Sequence, residues 1–150
     1  MYHKRKNNKD LKFILSNLRE QDEHELSLIH GQDWFKQSWN IWKDLKGCRI
    51  AYKDDGTPVA IFGVLPNGDT GIIGFLSTAD IENEQRSFLV QGKKWIKDCE
   101  KKYKLLKNYI YSSNTKAIKW LEWLGFEVEE NRGMGDKFLL FSKGELKCAE

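Results

Sequence analysis

Apolar residues recur along this chain with two different periods, and the switches between them mark its elements. Residues 11–15 (LKFIL) form a short apolar run that reads as a strand. Asp22 is placed to cap a helix carrying Leu26, Leu28 and Ile29, which Gly31 ends. Asp33 is placed to cap a second helix, on which Trp34, Phe35, Ser38, Ile41, Trp42 and Leu45 recur at helical spacing before Gly47 closes it. Residues 49–53 then read as a strand and 58–65 (PVAIFGVL) as its return. The turn between them, Asp54-Asp55-Gly56-Thr57, is a hairpin signal because Gly56 tolerates positive φ. Pro66-Asn67-Gly68-Asp69 makes a second turn, and residues 71–77 (GIIGFLS) complete an antiparallel meander.

The helical period returns over residues 86–103, with Phe88, Leu89, Trp95, Ile96, Cys99 and Tyr103 on one face. Residues 108–112 read as a strand. Asn114 is placed to cap a helix bearing Ala117, Ile118, Leu121 and Leu124, and Gly125 stops it in the left-handed position. Residues 126–129 and 137–142 are two closing strands joined by Gly133-Met134-Gly135. A meander followed by a β-α-β crossover predicts an α/β (α+β) fold. Its sheet is mixed and mostly antiparallel, about six or seven strands wide, with about four helices on both faces.

Composition narrows this picture. The 150 residues fit a single domain, expected over 11–143 between a basic flexible arm (1–10) and a C-terminal tail (144–150). Hydrophobic residues make up 40%, and 6 Trp, 5 Tyr and 8 Phe bury enough area to exclude wholesale disorder. No apolar run approaches the roughly 20 residues that span a bilayer, and the basic start is not followed by a signal-like stretch. The expected location is therefore the cytoplasm, with no membrane partner. A net charge of +3 is too mild to argue for nucleic acid. The lysines at 93, 94, 97, 101, 102, 104 and 107 read as a solvated helix face interleaved with Asp98 and Glu100. Cys48, Cys99 and Cys148 are odd in number and widely spaced, which argues against a metal site and against a disulfide framework. Cys99 reads as core and Cys148 as an exposed thiol. His3, His24 and His30 are scattered, and no Walker loop, nucleophile elbow or GxGxxG is present.

The segment from Asn114 through Ala117, Ile118, Trp120, Leu121, Trp123 and Leu124 to Gly125-Phe126 resembles a motif of the Gcn5-related N-acetyltransferase (GNAT) superfamily. That motif is Asn, two residues, Ala, then an aromatic-rich helix ending Leu-Gly-Phe. Leu18-Arg19-Glu-Gln-Asp22 resembles the R-x-x-D start of many members, and the order of elements is similar along nearly the whole chain. Three further segments are similar to a group of phage-encoded GNAT-like proteins and internal core proteins of short-tailed phages. They are Asp55-Gly56 to Val64, Leu76-Ser77-Thr78, and 114–126 with its two tryptophans. For a phage protein the location implied is the host cytoplasm or the virion.

The resemblance implies an N-acetyltransferase that moves an acetyl group from acetyl-coenzyme A to an amine of a protein or a small molecule. The alternative is a non-catalytic GNAT-like phage protein acting in virion assembly or host interaction, with a protein partner or a second copy of itself. Carried over, the backbone of Phe75, Leu76 and Ser77 binds the pantetheine arm. Asn83, Glu84, Gln85, Arg86 and Ser87 receive the pyrophosphate at a helix N-terminus, and Asn114 with Ala117 faces the arm. Two departures stand out. The aligned phosphate loop, Ile81-Glu82-Asn83-Glu84-Gln85-Arg86, has no glycine and two carboxylates. Leu121 also stands where many members carry the tyrosine that protonates the leaving thiolate. Tyr109 or Tyr111 is the nearest replacement, with Tyr111 and Ser77 the candidate catalytic residues; no metal is implied. Asp80 and Glu82 are candidate bases that read equally well as carboxylates favouring a helix dipole. Trp120 reads as core and Trp95 likewise, whereas Trp123 fits core and groove equally.

Overall fold

The computed structural model describes residues 1–130 and 137–144. Gly133-Met134-Gly135, Cys148 and most of the expected tail lie outside the described residues. The elements run β1 (Tyr2–Arg5), α1 (Asn8–Ser16), α2 (Glu20–His30), α3 (Trp34–Asp44), β2 (Arg49–Tyr52), β3 (Pro58–Asn67), β4 (Thr70–Ser77), α4 (Gln85–Glu100), β5 (Leu105–Tyr111), α5 (Thr115–Trp123), β6 (Glu127–Glu130) and β7 (Phe138–Gly144). Short 3₁₀ turns cover Gly31–Asp33 and Ala79–Asn83. The strands form one mixed, mostly antiparallel seven-stranded sheet in the order β1-β2-β3-β4-β5-β7-β6. Among the described residues, no helix is long and apolar enough to cross a membrane.

The chain comprises two compact units. The first holds Met1–Val64 and Gly74–Phe88, the second Leu65–Ile73 and the chain from Leu89 onward. In the first unit the run LKFIL is helical, not the strand its apolar density predicts. Leu11, Ile14 and Leu15 are buried at helical spacing, while Phe13, which a strand would turn inward with Leu11 and Leu15, is exposed. The helix start decides this. Asn7 is the N-cap, its Oδ1 accepting the Asp10 N–H at 2.9 Å. The segment 1–10, expected as a basic arm, thus contains β1 and the first turn of α1. β1 pairs antiparallel with β2 from Tyr2↔Tyr52 to Arg5↔Arg49.

The buried Tyr52 hydroxyl donates to Asp10 Oδ2 at 2.6 Å and accepts from Asn7 Nδ2 at 3.2 Å, so the α1 N-terminus satisfies a core phenol. Lys6 Nζ donates to the Trp42 and Lys43 carbonyls, capping α3 from outside the helix. Asp33 occupies the α3 N-cap position without making the side-chain cap bond its identity suggests. The core gathers Leu11, Ile14, Leu15, Trp42, Ile50, Ile61 and Leu76. Gly74 is required there, because a Cβ would stand 2.9 Å from the Trp42 ring.

The second unit is organised by β5. It pairs antiparallel with β7 along its whole length, from Leu105↔Gly144 to Tyr111↔Phe138, and β7 pairs in turn with β6. Asn114 sits at the N-cap of α5 and is buried, but its side chain makes no cap hydrogen bond, contrary to the capping role read from the sequence. The C-terminal end follows expectation. Phe126 N–H donates to Leu121 O and Gly125 N–H to Glu122 O, a Schellman closure with Gly125 at φ 97°. Trp120 and Cys99 are buried, Trp95 is half-buried where full burial was expected, and Trp123 is half exposed with Lys93 Nζ 4.8 Å from its ring centroid.

Two predictions follow from these contacts. Gly125→Val forces a β-branched residue into the left-handed region and drives its Cβ toward Lys143, whose Nζ pairs with Glu100 at 3.0 Å. It is expected to lower stability by at least about 1 kcal/mol in urea unfolding. His3 Nδ1 accepts from Arg49 Nε at 2.6 Å, and burial, with the Arg49 charge second, holds its pKa below the usual histidine value. The neutral ring is thus the native form. Its contribution is present above a pH of about 6.5 and is lost as pH falls through the lower folded-state value. Melting temperatures measured between pH 7 and 5 are expected to fall less steeply for His3→Gln, which still offers an acceptor and does not titrate.

Candidate functional site

β4 ends in Phe75-Leu76-Ser77, and the orientation of its backbone follows from the next residue. Thr78 N–H donates to Val59 O of β3 at 2.8 Å, so alternation turns the N–H and C=O of Ser77 and of Phe75 toward the opposite edge, and those of Leu76 toward β3. On that opposite edge the Ser77 groups are engaged by the turn between α1 and α2. Ser77 C=O accepts the Arg19 N–H at 2.8 Å, its N–H donates to Asp22 Oδ2 at 2.9 Å, and Leu18 bridges Thr78 in antiparallel fashion. The backbone of Ser77 is therefore paired, not open as its place in the resemblance implies.

Asp22, read from the sequence as a helix cap, lies inside the first turn of α2 behind the actual N-cap, Arg19. It is buried and accepts from Arg19 Nη2 at 3.1 Å, the Ser77 N–H, and Ser77 Oγ at 3.4 Å. Burial pushes its carboxyl pKa up, against the Arg19 charge and the Ser77 bonds. Arg19, Asp22, Ser77 and Thr78 together form a buried polar cluster in the first unit, and Thr78 Oγ1 in it has no hydrogen-bond partner.

The segment after β4 closes on itself. Ile81 N–H donates to Thr78 O, Glu84 N–H to Ile81 O, and Gln85 Nε2 to Glu82 O. Of residues 83–87, Glu84 thus has its backbone donor engaged within the loop. Arg86 is exposed on the first turn of α4, and Phe88 packs against Phe75 with ring centroids 4.9 Å apart. Asp80 pairs with Lys53 at 3.4 Å. Phe75–Ser77 and 83–87 accordingly share the first unit.

Tyr111, Asn114 and Ala117 belong to the second unit. Tyr111 is half-buried against Phe138 (centroids 5.4 Å apart), and its carbonyl accepts the Asn114 N–H at 3.0 Å. Ala117 and Leu121 are half-buried on α5. β5 runs parallel to β4, with Thr70↔Leu105, Gly71↔Leu106 and Ile72↔Lys107 as partners. At the next position the Asn108 side chain intervenes: Nδ2 donates to Ile73 O at 2.6 Å and Oδ1 accepts the Tyr109 N–H at 2.8 Å. Neither Asn108 nor the Asp22–Ser77 contact was singled out by the sequence. A short-chain amide within a strand otherwise of Leu, Lys, Tyr and Ile was the one available signal for the former.

A parallel β4–β5 pair set in an otherwise antiparallel sheet, with α4 as the crossover, identifies the architecture. The chain has the fold of the GCN5-related N-acetyltransferases. A GCN5-related N-acetyltransferase from Kribbella flavida superposes with a TM-score of 0.69 at 17% identity, covering 96% of this chain and 97% of its own. The PaiA N-acetyltransferase of Thermoplasma acidophilum, in complex with coenzyme A, gives 0.68 at 15% identity over 96% and 98%. A ribosomal-protein-alanine N-acetyltransferase from Brucella melitensis gives 0.61 at 16% identity over 97% and 100%. No protein-family profile and no curated protein sequence matches the chain. The GNAT likeness is thus one of fold, carried at low identity.

The buried cluster generates a stability prediction. Asp22→Ala removes the carboxylate that faces Arg19 and the Ser77 N–H in a water-poor environment. It is expected to cost about 3–5 kcal/mol in urea unfolding, with Asp22→Asn costing less because its amide oxygen still accepts from Ser77.

Proposed function

We propose that the chain binds acetyl-coenzyme A and transfers its acetyl group to an amine. The observation that carries this reading is the parallel pairing of Thr70–Ile72 with Leu105–Lys107 in a GNAT-fold sheet. A fold neighbour in complex with coenzyme A supports it. The first unit fits the donor in part. Phe75 directs its N–H and C=O to the edge of β4 away from β3, where they suit an amide-bearing pantetheine arm. Arg86 on the first turn of α4 offers a charge to the pyrophosphate. With Ser77 engaged by Asp22 and Arg19, the backbone contacts of the arm fall to Phe75.

In this reading the acceptor amine attacks the thioester carbonyl. A C–N bond forms, the C–S bond breaks, and the thiolate takes a proton, for which Tyr111 is the candidate donor. The amine gives up its proton to a base or water. Ser77 has no direct part in this reading, since its backbone groups are paired with Arg19 and Asp22 and its hydroxyl is turned to Asp22.

The second reading, a GNAT-fold protein without catalysis that works by binding another protein, is favoured by one feature. The loop before α4 has no glycine, and it satisfies the Glu84 N–H internally. Calorimetry with acetyl-coenzyme A separates the two. Weak binding is expected, on the order of tens of micromolar, roughly 6 kcal/mol. Arg86→Ala is expected to weaken it by about 1–2 kcal/mol, and Glu84→Gly to strengthen it by removing a repulsive carboxylate beside the pyrophosphate. No heat of binding in the unchanged protein, and none after Glu84→Gly, would leave only the binding role.

A further inference from the structure

Asn108 is a polar residue in a strand that otherwise favours branched and aromatic side chains, and its side chain replaces a rung of the sheet. In the parallel register set by Ile72↔Lys107, the bond that would extend the ladder runs directly from the Tyr109 N–H to the Ile73 carbonyl. That bond is not made. The Tyr109 N–H goes to Asn108 Oδ1 at 2.8 Å, and Asn108 Nδ2 goes on to Ile73 O at 2.6 Å. A carboxamide stands between two backbone groups that would otherwise meet. Both are satisfied, so nothing is left unpaired to draw the strands together. The spacing between them grows by about the span of one amide, since each hydrogen bond keeps its usual length of about 2.9 Å.

We propose that Asn108 is a positioning residue for the acyl donor. Its amide ends the β4–β5 ladder at Ile73, so that the backbone of Phe75 remains for a pantetheine-type ligand bearing its own amides. The proposal rests on the acetyl-coenzyme A reading. It adds a residue that touches neither thioester nor phosphate in that reading and acts through the strand edge alone. Asparagine suits the role because its one planar group presents donor and acceptor together at a reach that serine or threonine lacks.

The test compares the unchanged protein with Asn108→Val, which suits a strand and bridges nothing. Amide exchange and cross-strand contacts at Tyr109 are read by NMR, coenzyme A affinity by calorimetry, and melting temperature alongside. In Asn108→Val the Tyr109 amide is expected to bond directly to Ile73 and to exchange more slowly, with no loss of melting temperature. Coenzyme A binding is expected to weaken by about tenfold. A merely structural asparagine would instead lower the melting temperature and leave the affinity of the folded protein unchanged, and that result overturns the proposal. So does an extended ladder that binds coenzyme A as before. Should Asn108→Val not fold, Asn108→Thr, too short to span the same gap, reads the same quantities. If the unchanged protein binds no coenzyme A, the acetyltransferase reading and the positioning role fall together, while amide exchange still decides whether Asn108 ends the ladder.

Discussion

The first unit depends on an ion pair placed at the end of a strand. Taking Arg19 and Asp22 out of water is unfavourable unless every lone pair and proton finds a partner. Here the carboxylate divides between a guanidinium, a backbone N–H and a hydroxyl, all within 3.4 Å. The result ties the first turn of α2 to the last residue of β4. From that anchor the chain is directed onward. Leu18 bridges Thr78, Thr78 bonds to β3, and the Thr78 carbonyl starts the 3₁₀ turn that leads into α4.

At the C-terminal end of β2, in the same unit, a buried hydroxyl is satisfied in a comparable way. The Tyr52 hydroxyl reaches the core boundary, donates to Asp10 and accepts from Asn7, the α1 N-cap whose side chain also takes the Asp10 N–H. Burial raises the Asp10 pKa, but the Tyr52 and Asn7 hydrogen bonds, with Lys9 and Lys4 nearby, outweigh it and leave the carboxyl below its usual range. One polar junction thereby serves both a helix start and a buried phenol. Tyr52 also stacks on Tyr2, with ring centroids 5.3 Å apart, within the antiparallel pairing of β1, a strand of only four residues, with β2.

Chemically, the molecule pairs a familiar architecture with an unusual loop. Glycine-rich phosphate loops work because bare backbone approaches the anion. In this chain carboxylates occupy that stretch, and a 3₁₀ turn engages part of its backbone internally. In the acetyl-coenzyme A reading proposed above, donor binding would rest more on the β4 edge and less on the phosphates, and the residues at that edge, Asp22 at Ser77 and Asn108 at Ile73, would matter more than the loop.

The meander, the crossover helix and the α5 ending were legible along the chain, because each is written in local periodicity and turn chemistry. Gly56 and Gly125 do take positive φ, and α4 departs from its expected bounds only at the ends. LKFIL was not legible in the same way. Its four apolar residues in five satisfy both periods, and only the Asn7–Asp10 cap and the burial of Leu11, Ile14 and Leu15 together select the helix. Asp22 and Asn114 carry cap-forming side chains at helix starts, yet one pairs with Arg19 and accepts from the backbone N–H of Ser77, 55 residues away, and the other makes no cap bond. Local sequence determined which segments are helix, strand and turn wherever the pattern was unambiguous, since those preferences act over a few residues. Tertiary structure alone decided which polar side chains leave their local roles to meet a distant backbone, because burial makes a missing partner costly only once the strands and helices have come together.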